Sequence, residues 1–175
     1  RDRVIERFAD SIGFDPHASD ENRQRQRAYY YGNITLIDDK VGEIMQALEE
    51  RGDLENAVVI FTSDHGELLG DHGLVEKWNM YEWAVRVPLI VWSPGRFEGD
   101  RTVDSLVQWF DIGPTILELG GVEPPETFEA QSLLPLLDGD PAAPEREYAF
   151  SEHAPDPMLN SIQYMLMIRS RRWKL

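Results

Sequence analysis

The 175-residue chain contains no cysteine, which excludes disulfide bonds and any thiolate metal site. Basic residues are scarce, with 17 Lys and Arg against 32 Asp and Glu and a formal net charge of -15. That balance excludes a general nucleic-acid binder, because phosphate contacts need clustered cations. It still allows an anionic substrate, since a bound metal and a few local cations override a global field. No apolar run approaches the length of a membrane span. There is no glycine-rich phosphate loop and no Gly-x-Ser-x-Gly nucleophile elbow. Repeats and low-complexity segments are absent as well. What remains is ordinary for a globular domain with its own core: 42% hydrophobic and 28% charged residues. Arg1 does not read as a natural start, nor Leu175 as a natural end, so a fragment is expected.

The stretch Ala57 to Glu67, AVVIFTSDHGE, organises the chain. Its apolar, β-branched beginning predicts a strand over Val58–Thr62, buried on both faces. It ends in Asp64, His65 and Gly66, where open α/β sheets place their ligands. Before it, Ile34, Ile37, Val41, Ile44, Met45 and Leu48 recur at helical spacing, predicting a helix over Ala28–Arg51 with one apolar stripe and Gly52 as its C-cap. Ser19-Asp20-Glu21-Asn22 carries helix-start or loop residues, and Tyr29-Tyr30-Tyr31 is expected to pack at the helix start. After the strand, Gly70-Asp71-His72-Gly73 predicts a loop and Tyr81–Val85 a helical turn. Val87–Trp92 predicts a second strand, with Pro88 at its start. Val103–Phe110 is short and apolar, and Asp111 is a candidate N-cap for a helix with Pro114 in its first turn and Gly120-Gly121 at its end. Asp138–Pro144 reads as a linker. Beyond it, Glu147–Phe150, Tyr164–Arg169 and Trp173–Leu175 predict strands, the last two as an antiparallel hairpin.

Asp64 and His65 supply a hard oxygen and an imidazole nitrogen. At a strand end both can turn toward one ion, a donor mix that suits Zn, Mn, Fe or Ca with further carboxylates. Two ligands do not complete a site. Lys77 lies in a loop that can return to the same place and stabilise charge on a leaving group. Asp71 and His72 are candidates for an orienting pair or an acid/base dyad. Asp38 and Asp39 are adjacent on the predicted helix and point about 100° apart, so they read as solvated or salt-bridged. His17 and the amphipathic piece at Val4, Ile5 and Phe8 read as surface features. Glu67 and Glu76 also read as surface residues, and His153 sits at a strand end where it can border a cleft.

Thr62-Ser63-Asp64-His65-Gly66-Glu67-Leu68-Leu69-Gly70-Asp71-His72-Gly73-Leu74, followed by Lys77 and Asn79-Met80-Tyr81-Glu82, resembles the sulfatase family of the alkaline-phosphatase superfamily. Tyr31–Gly52 resembles the family's preceding helix, Val87-Pro88-Leu89-Ile90 the following strand, Asp111-Ile112-Gly113-Pro114-Thr115 its Asp-x-x-Pro-Thr helix start, and Ser132–Leu137 a stretch near the domain's end. The resemblance implies an α/β fold, with part of a large mixed sheet flanked by helices over 1–142 and the start of a small antiparallel C-terminal subdomain over 143–175. It implies that Asp64 and His65 are ligands of one divalent cation, Ca2+ in a sulfatase or Mn2+ in a phosphonate hydrolase. Lys77 would bind the sulfate, with His72 near the cleft.

The family's formylglycine nucleophile arises from a Cys/Ser-x-Pro-x-Arg motif. This chain lacks it, and Ser93-Pro94-Gly95-Arg96 has the wrong spacing. The paired aspartates that complete the metal site and the upstream cleft histidine are also missing, and are expected upstream with the nucleophile. Hydrolysis of sulfate esters is therefore the expected activity of a longer enzyme, on a sulfated small molecule or carbohydrate. The 175 residues alone are expected to be inactive, with an open sheet edge that seeks a partner, a homo-oligomer being one form this can take. The other readings are a phosphonate or phosphate ester hydrolase and a non-catalytic binding domain.

Overall fold

A computed structural model describes residues 19–154 and 164–175. The expectations for His17 and for Val4, Ile5 and Phe8 fall outside these residues. The chain divides into two compact units, Arg1–Val91 with His153–Met165 and Trp92–Glu152 with Leu166–Leu175.

In the first unit, helix α1 spans Asp20–Arg51. It begins earlier than the apolar spacing predicts, because Ser19 supplies a true N-cap: its Oγ accepts the Asn22 N–H at 3.3 Å. Asp20 and Glu21 in the first turn and Arg51 in the last suit the helix dipole. Gly52 ends the helix at φ 73°, donating to Glu49, while the Asp53 N–H reaches Leu48. These two bonds form a Schellman ending, which needs the left-handed residue that glycine provides. The three tyrosines lie within the helix and not at its start, and Tyr29 and Tyr31 are well exposed. Ile34, Ile37 and Ile44 are exposed too, and no residue of α1 is fully buried. The apolar stripe is present, but within the described residues it is only partly covered, with Val41, Met45 and Leu48 half-buried.

Strand β1 spans Val59–Thr62, helix α2 spans Glu82–Val85, and strand β2 spans Leu89–Trp92. β1 pairs with β2. The Thr62 hydroxyl donates to the Pro88 carbonyl at 2.9 Å, so the end of β1 lies beside the start of β2, as antiparallel pairing requires. β1 is half-buried, with Phe61 exposed, and not buried on both faces as its apolar composition predicts. Composition cannot distinguish a strand covered on two faces from one in a two-stranded ribbon. The unit's tightest packing lies just beyond β1, where Leu68, Val75 and Ala84 are buried.

In the second unit, helix α3 spans Ile112–Leu119 and helix α4 spans Leu134–Leu137. Gly121, at φ 73°, turns the chain out of α3. Strand β3 covers Ala149–His153 and strand β4 covers Met165–Arg169, paired in a second two-stranded antiparallel sheet. Lys174 bridges back to Arg169, and Leu175 and Ile168 exchange two backbone bonds of 3.0 Å, which makes the expected terminal hairpin. Asp111 stands just before α3, but its side chain does not cap that helix. It accepts instead from the Gln108 N–H at 2.7 Å, the Gln131 N–H at 3.0 Å and the Arg146 guanidinium at 2.7 Å. Thr115, fully buried, donates to the Asp111 carbonyl and accepts from the Leu133 N–H. The fold class is α/β, with helices set beside two small antiparallel sheets.

Candidate functional site

The first unit brings the sequence candidates to the exit of β1. Here the chain leaves regular pairing, so Asp64 and His65 are not forced to opposite faces. The Ser63 hydroxyl donates to the His65 carbonyl at 2.8 Å, and the His65 N–H donates to Asp64 Oδ1 at 3.0 Å. His65 Nδ1 lies 2.8 Å from the Gly66 carbonyl. A carbonyl only accepts, so Nδ1 is the protonated partner in this contact and Nε2 is the ring nitrogen turned toward Asp64. Nε2 stands 3.4 Å from Asp64 Oδ2.

Two donors sharing one cation at bond lengths of about 2.0–2.4 Å stand roughly 3 Å apart when they meet it at right angles. The observed separation fits that arrangement, and the Asp64 side chain is open at 75% exposure. Desolvation is the largest single influence on the Asp64 carboxyl and raises its pKa, but the His65 N–H, the His65 ring, the Asp64 N–H and the Lys77 charge together outweigh it, and the group is held below its ordinary value. It is therefore ionised and ready to coordinate. Among the described residues no group of three or more His, Asp or Glu gathers to hold a metal; Asp64 and His65 are two candidate donors side by side.

Gly66 makes this turn possible. Its N–H donates to the Ala84 carbonyl at 2.9 Å, and a Cβ placed on it would meet the Trp83 carbonyl oxygen at 1.8 Å. Only glycine lets α2 approach the metal-type motif this closely.

The loop from Leu68 to Lys77 is strained. Leu69, His72 and Glu76 all have positive φ, at 49°, 58° and 63°, and such backbone costs on the order of 1–3 kcal/mol at each non-glycine residue. Lys77 emerges from this loop near enough to Asp64 to depress its pKa. Its ammonium also lies 5.4 Å from the Trp78 ring centroid. His72 is exposed and stacks on Tyr81, with centroids 4.1 Å apart and planes at 13°.

Asp71 and His72 do not form the dyad their adjacency suggests. Asp71 pairs with Arg27 at 3.3 Å, while His72 faces Tyr81. The reason is the turn itself, since left-handed backbone at His72 sends neighbouring side chains apart. His153 lies edge-on to Trp78, with centroids 5.6 Å apart, and its buried Nε2 has no hydrogen-bond partner among the described residues.

Glu67 differs from the sequence reading. It is half-buried, and its Oε1 accepts from the Leu69 N–H at 3.1 Å and from the Glu76 N–H at 2.6 Å. Nothing in the local pattern marks a single Glu after a glycine as a loop clamp, because the second donor lies nine residues away. Arg27 is the other residue the sequence did not single out. Its Nε donates to the Leu69 carbonyl at 3.0 Å. Arg27, Tyr31, Glu67, Leu68, Leu69 and Asp71 line an open cleft of about 230 Å³.

The sulfatase family model matches residues 3–122, and the model described as "N-sulphoglucosamine sulphohydrolase, C-terminal" matches residues 70–175. An arylsulfatase from Clostridium perfringens is 35% identical over 134 residues, which is 75% of this chain but only 28% of that protein. A phosphonate monoester hydrolase from Silicibacter pomeroyi superposes with a TM-score of 0.80 at 32% identity, covering 89% of this chain and 33% of the other. A structure solved with its substrate D-glucosamine-2-N,6-O-disulfate gives a TM-score of 0.73 at 32% identity, covering 79% and 28%. The chain thus spans less than a third of the arylsulfatase it matches. With one family model covering most of its length and the exit of β1 built from that motif, the chain belongs to the sulfatase family.

Proposed function

We propose that this chain forms part of a hydrolase that cleaves sulfate esters, with Asp64 and His65 contributing to a divalent-cation site and Lys77 binding the sulfate group. The convergence of Asp64 Oδ2 and His65 Nε2, 3.4 Å apart, supports this reading most directly. A cation held there, Ca2+ by family resemblance, supplies charge neutralisation for a tetrahedral anion. Asp64 provides an ionised oxygen. His65 holds Nδ1 against the Gly66 carbonyl, so Nε2 is the nitrogen that would meet the cation. Lys77 brings a positive charge toward the same place and stabilises the leaving oxygen as negative charge develops there. His72, exposed and stacked on Tyr81, borders the site and takes a contacting role toward substrate. A sulfated amino sugar is the substrate class suggested by the complex with glucosamine disulfate.

Phosphonate ester hydrolysis is the second reading, favoured by the TM-score of 0.80 with the phosphonate monoester hydrolase. Both chemistries use the same cation and lysine, with Mn2+ the expected ion for the second. The test uses the complete natural polypeptide that carries this sequence, assayed on an aryl sulfate and an aryl phosphonate, with and without chelation. Lys77→Ala is expected to lower kcat about 100-fold or more on the preferred ester, and chelation should abolish turnover. Turnover that ignores both the chelator and Lys77→Ala would overturn the assignment. The isolated 175 residues are expected to show no turnover.

A further inference from the structure

We infer that Glu67 is a positioning residue whose carboxylate closes the 68–76 loop and thereby sets where Lys77 stands relative to Asp64 and His65. This inference rests on the assignment of those three residues to the reaction. One carboxylate oxygen accepts from two backbone N–H groups, those of Leu69 at 3.1 Å and Glu76 at 2.6 Å. Both donors belong to residues with left-handed backbone, Leu69 at φ 49° and Glu76 at φ 63°. The charge-assisted bonds therefore fall on two of the three non-glycine positions whose conformation is least favourable, and help to hold them there.

The placement of these bonds separates them from ordinary loop contacts. Other bonds in the loop, from Gly70 to Leu74, Asp71 to Leu68 and Leu74 to Asp71, close it upon itself without reaching Lys77. The contacts that join the two ends are the Glu67 carboxylate and the bond from the Leu68 N–H to the Glu76 carbonyl at 3.2 Å. Glu67 lies two residues after His65, and Glu76 immediately precedes Lys77. The cation-type ligands and the lysine are thus joined by a short bridge whose central group is one side chain. Buried Leu68 and Val75 hold the loop against the unit's core, but apolar packing does not dictate the direction of the peptide at Glu76. The carboxylate supplies that direction. Removing it frees the Glu76 peptide to rotate toward ordinary backbone, which carries the Lys77 side chain away from Asp64.

Four variants of the complete natural polypeptide test this: Glu67→Ala, Glu67→Gln, Lys77→Ala and the double Glu67→Ala/Lys77→Ala. Displacing a catalytic group by about 1 Å costs up to 100-fold, so Glu67→Ala is expected to lower kcat about 30-fold with little change in KM. Glu67→Gln keeps an oxygen that accepts both N–H groups, and should restore kcat to within about 3-fold of wild type. In the Lys77→Ala background, Glu67→Ala should cost less than about 3-fold, because the group it positions is gone. Amide hydrogen exchange gives a readout independent of activity. Protection at Leu69 and Glu76 should fall in Glu67→Ala and hold in Glu67→Gln.

Equal losses from Glu67→Ala with and without Lys77 would overturn the inference, as would unchanged exchange protection at both amides. If the wild-type protein hydrolyses neither ester, the hydrolase assignment fails while the exchange measurement still decides whether Glu67 holds the loop.

Discussion

Asp64 and Asp111 are both acidic residues in family-type motifs, one in each unit, and their surroundings are opposites. Asp111 is 1% exposed, and its carboxylate is taken up by two backbone N–H groups and by Arg146, whose side chain is 10% exposed. Asp64 is largely open. It accepts the His65 N–H, and its second oxygen stands 3.4 Å from Nε2 of the His65 ring. A buried carboxylate with both oxygens engaged by three donors holds a fold together and is closed to a ligand. An exposed carboxylate beside an imidazole adds little to stability and stays open to solvent. Residue type and motif membership did not separate these two roles; burial and partner count did.

The comparison predicts opposite outcomes for matched substitutions. Asp111→Ala strands Arg146 in a buried site and should cost about 3–5 kcal/mol of stability in denaturant unfolding. A smaller loss would show that water or another acid takes over the guanidinium. Gly66→Ala should destabilise by about 3 kcal/mol, because the added Cβ meets a backbone carbonyl that cannot rotate away. Its thermal midpoint should fall, and activity should fall with it as α2 is pushed from the exit of β1.

Thr115→Val leaves the Leu133 N–H without an acceptor in a fully buried position, at a cost of about 1–3 kcal/mol. Asp64→Asn should change stability by no more than about 0.5 kcal/mol in the absence of metal, yet weaken divalent-cation binding about 100-fold or more in titration calorimetry. An Asp64→Asn protein that binds the cation as well as wild type would collapse the contrast between the two aspartates.

The capped ends of α1 were legible because capping is local: Gly52 needs only its own left-handed backbone and two nearby carbonyls. The short helix after Tyr81, the strand after Pro88 and the terminal hairpin were legible for the same reason. The tyrosines and isoleucines of α1 were misjudged, since spacing reports that a stripe exists and not what covers it. Asp111 reads as an N-cap from its neighbours, but its partners Gln131 and Arg146 lie 20 and 35 residues away. Glu67 reads as a surface acid until Glu76 folds back to meet it.

By itself the sequence determined family membership, the order of helices and strands, and which residues at the exit of β1 are candidates for chemistry. Composition, local capping and motif spacing hold all of that information. Only the tertiary structure decided that His65 presents Nε2 beside Asp64, that Asp71 and His72 part company, and that Glu67 ties the loop to Lys77. Those outcomes depend on the backbone conformation of a strained loop and on contacts between residues distant in the chain. Hydrogen-bond direction in such a loop is set by the whole unit around it, and no local stretch of residues specifies it.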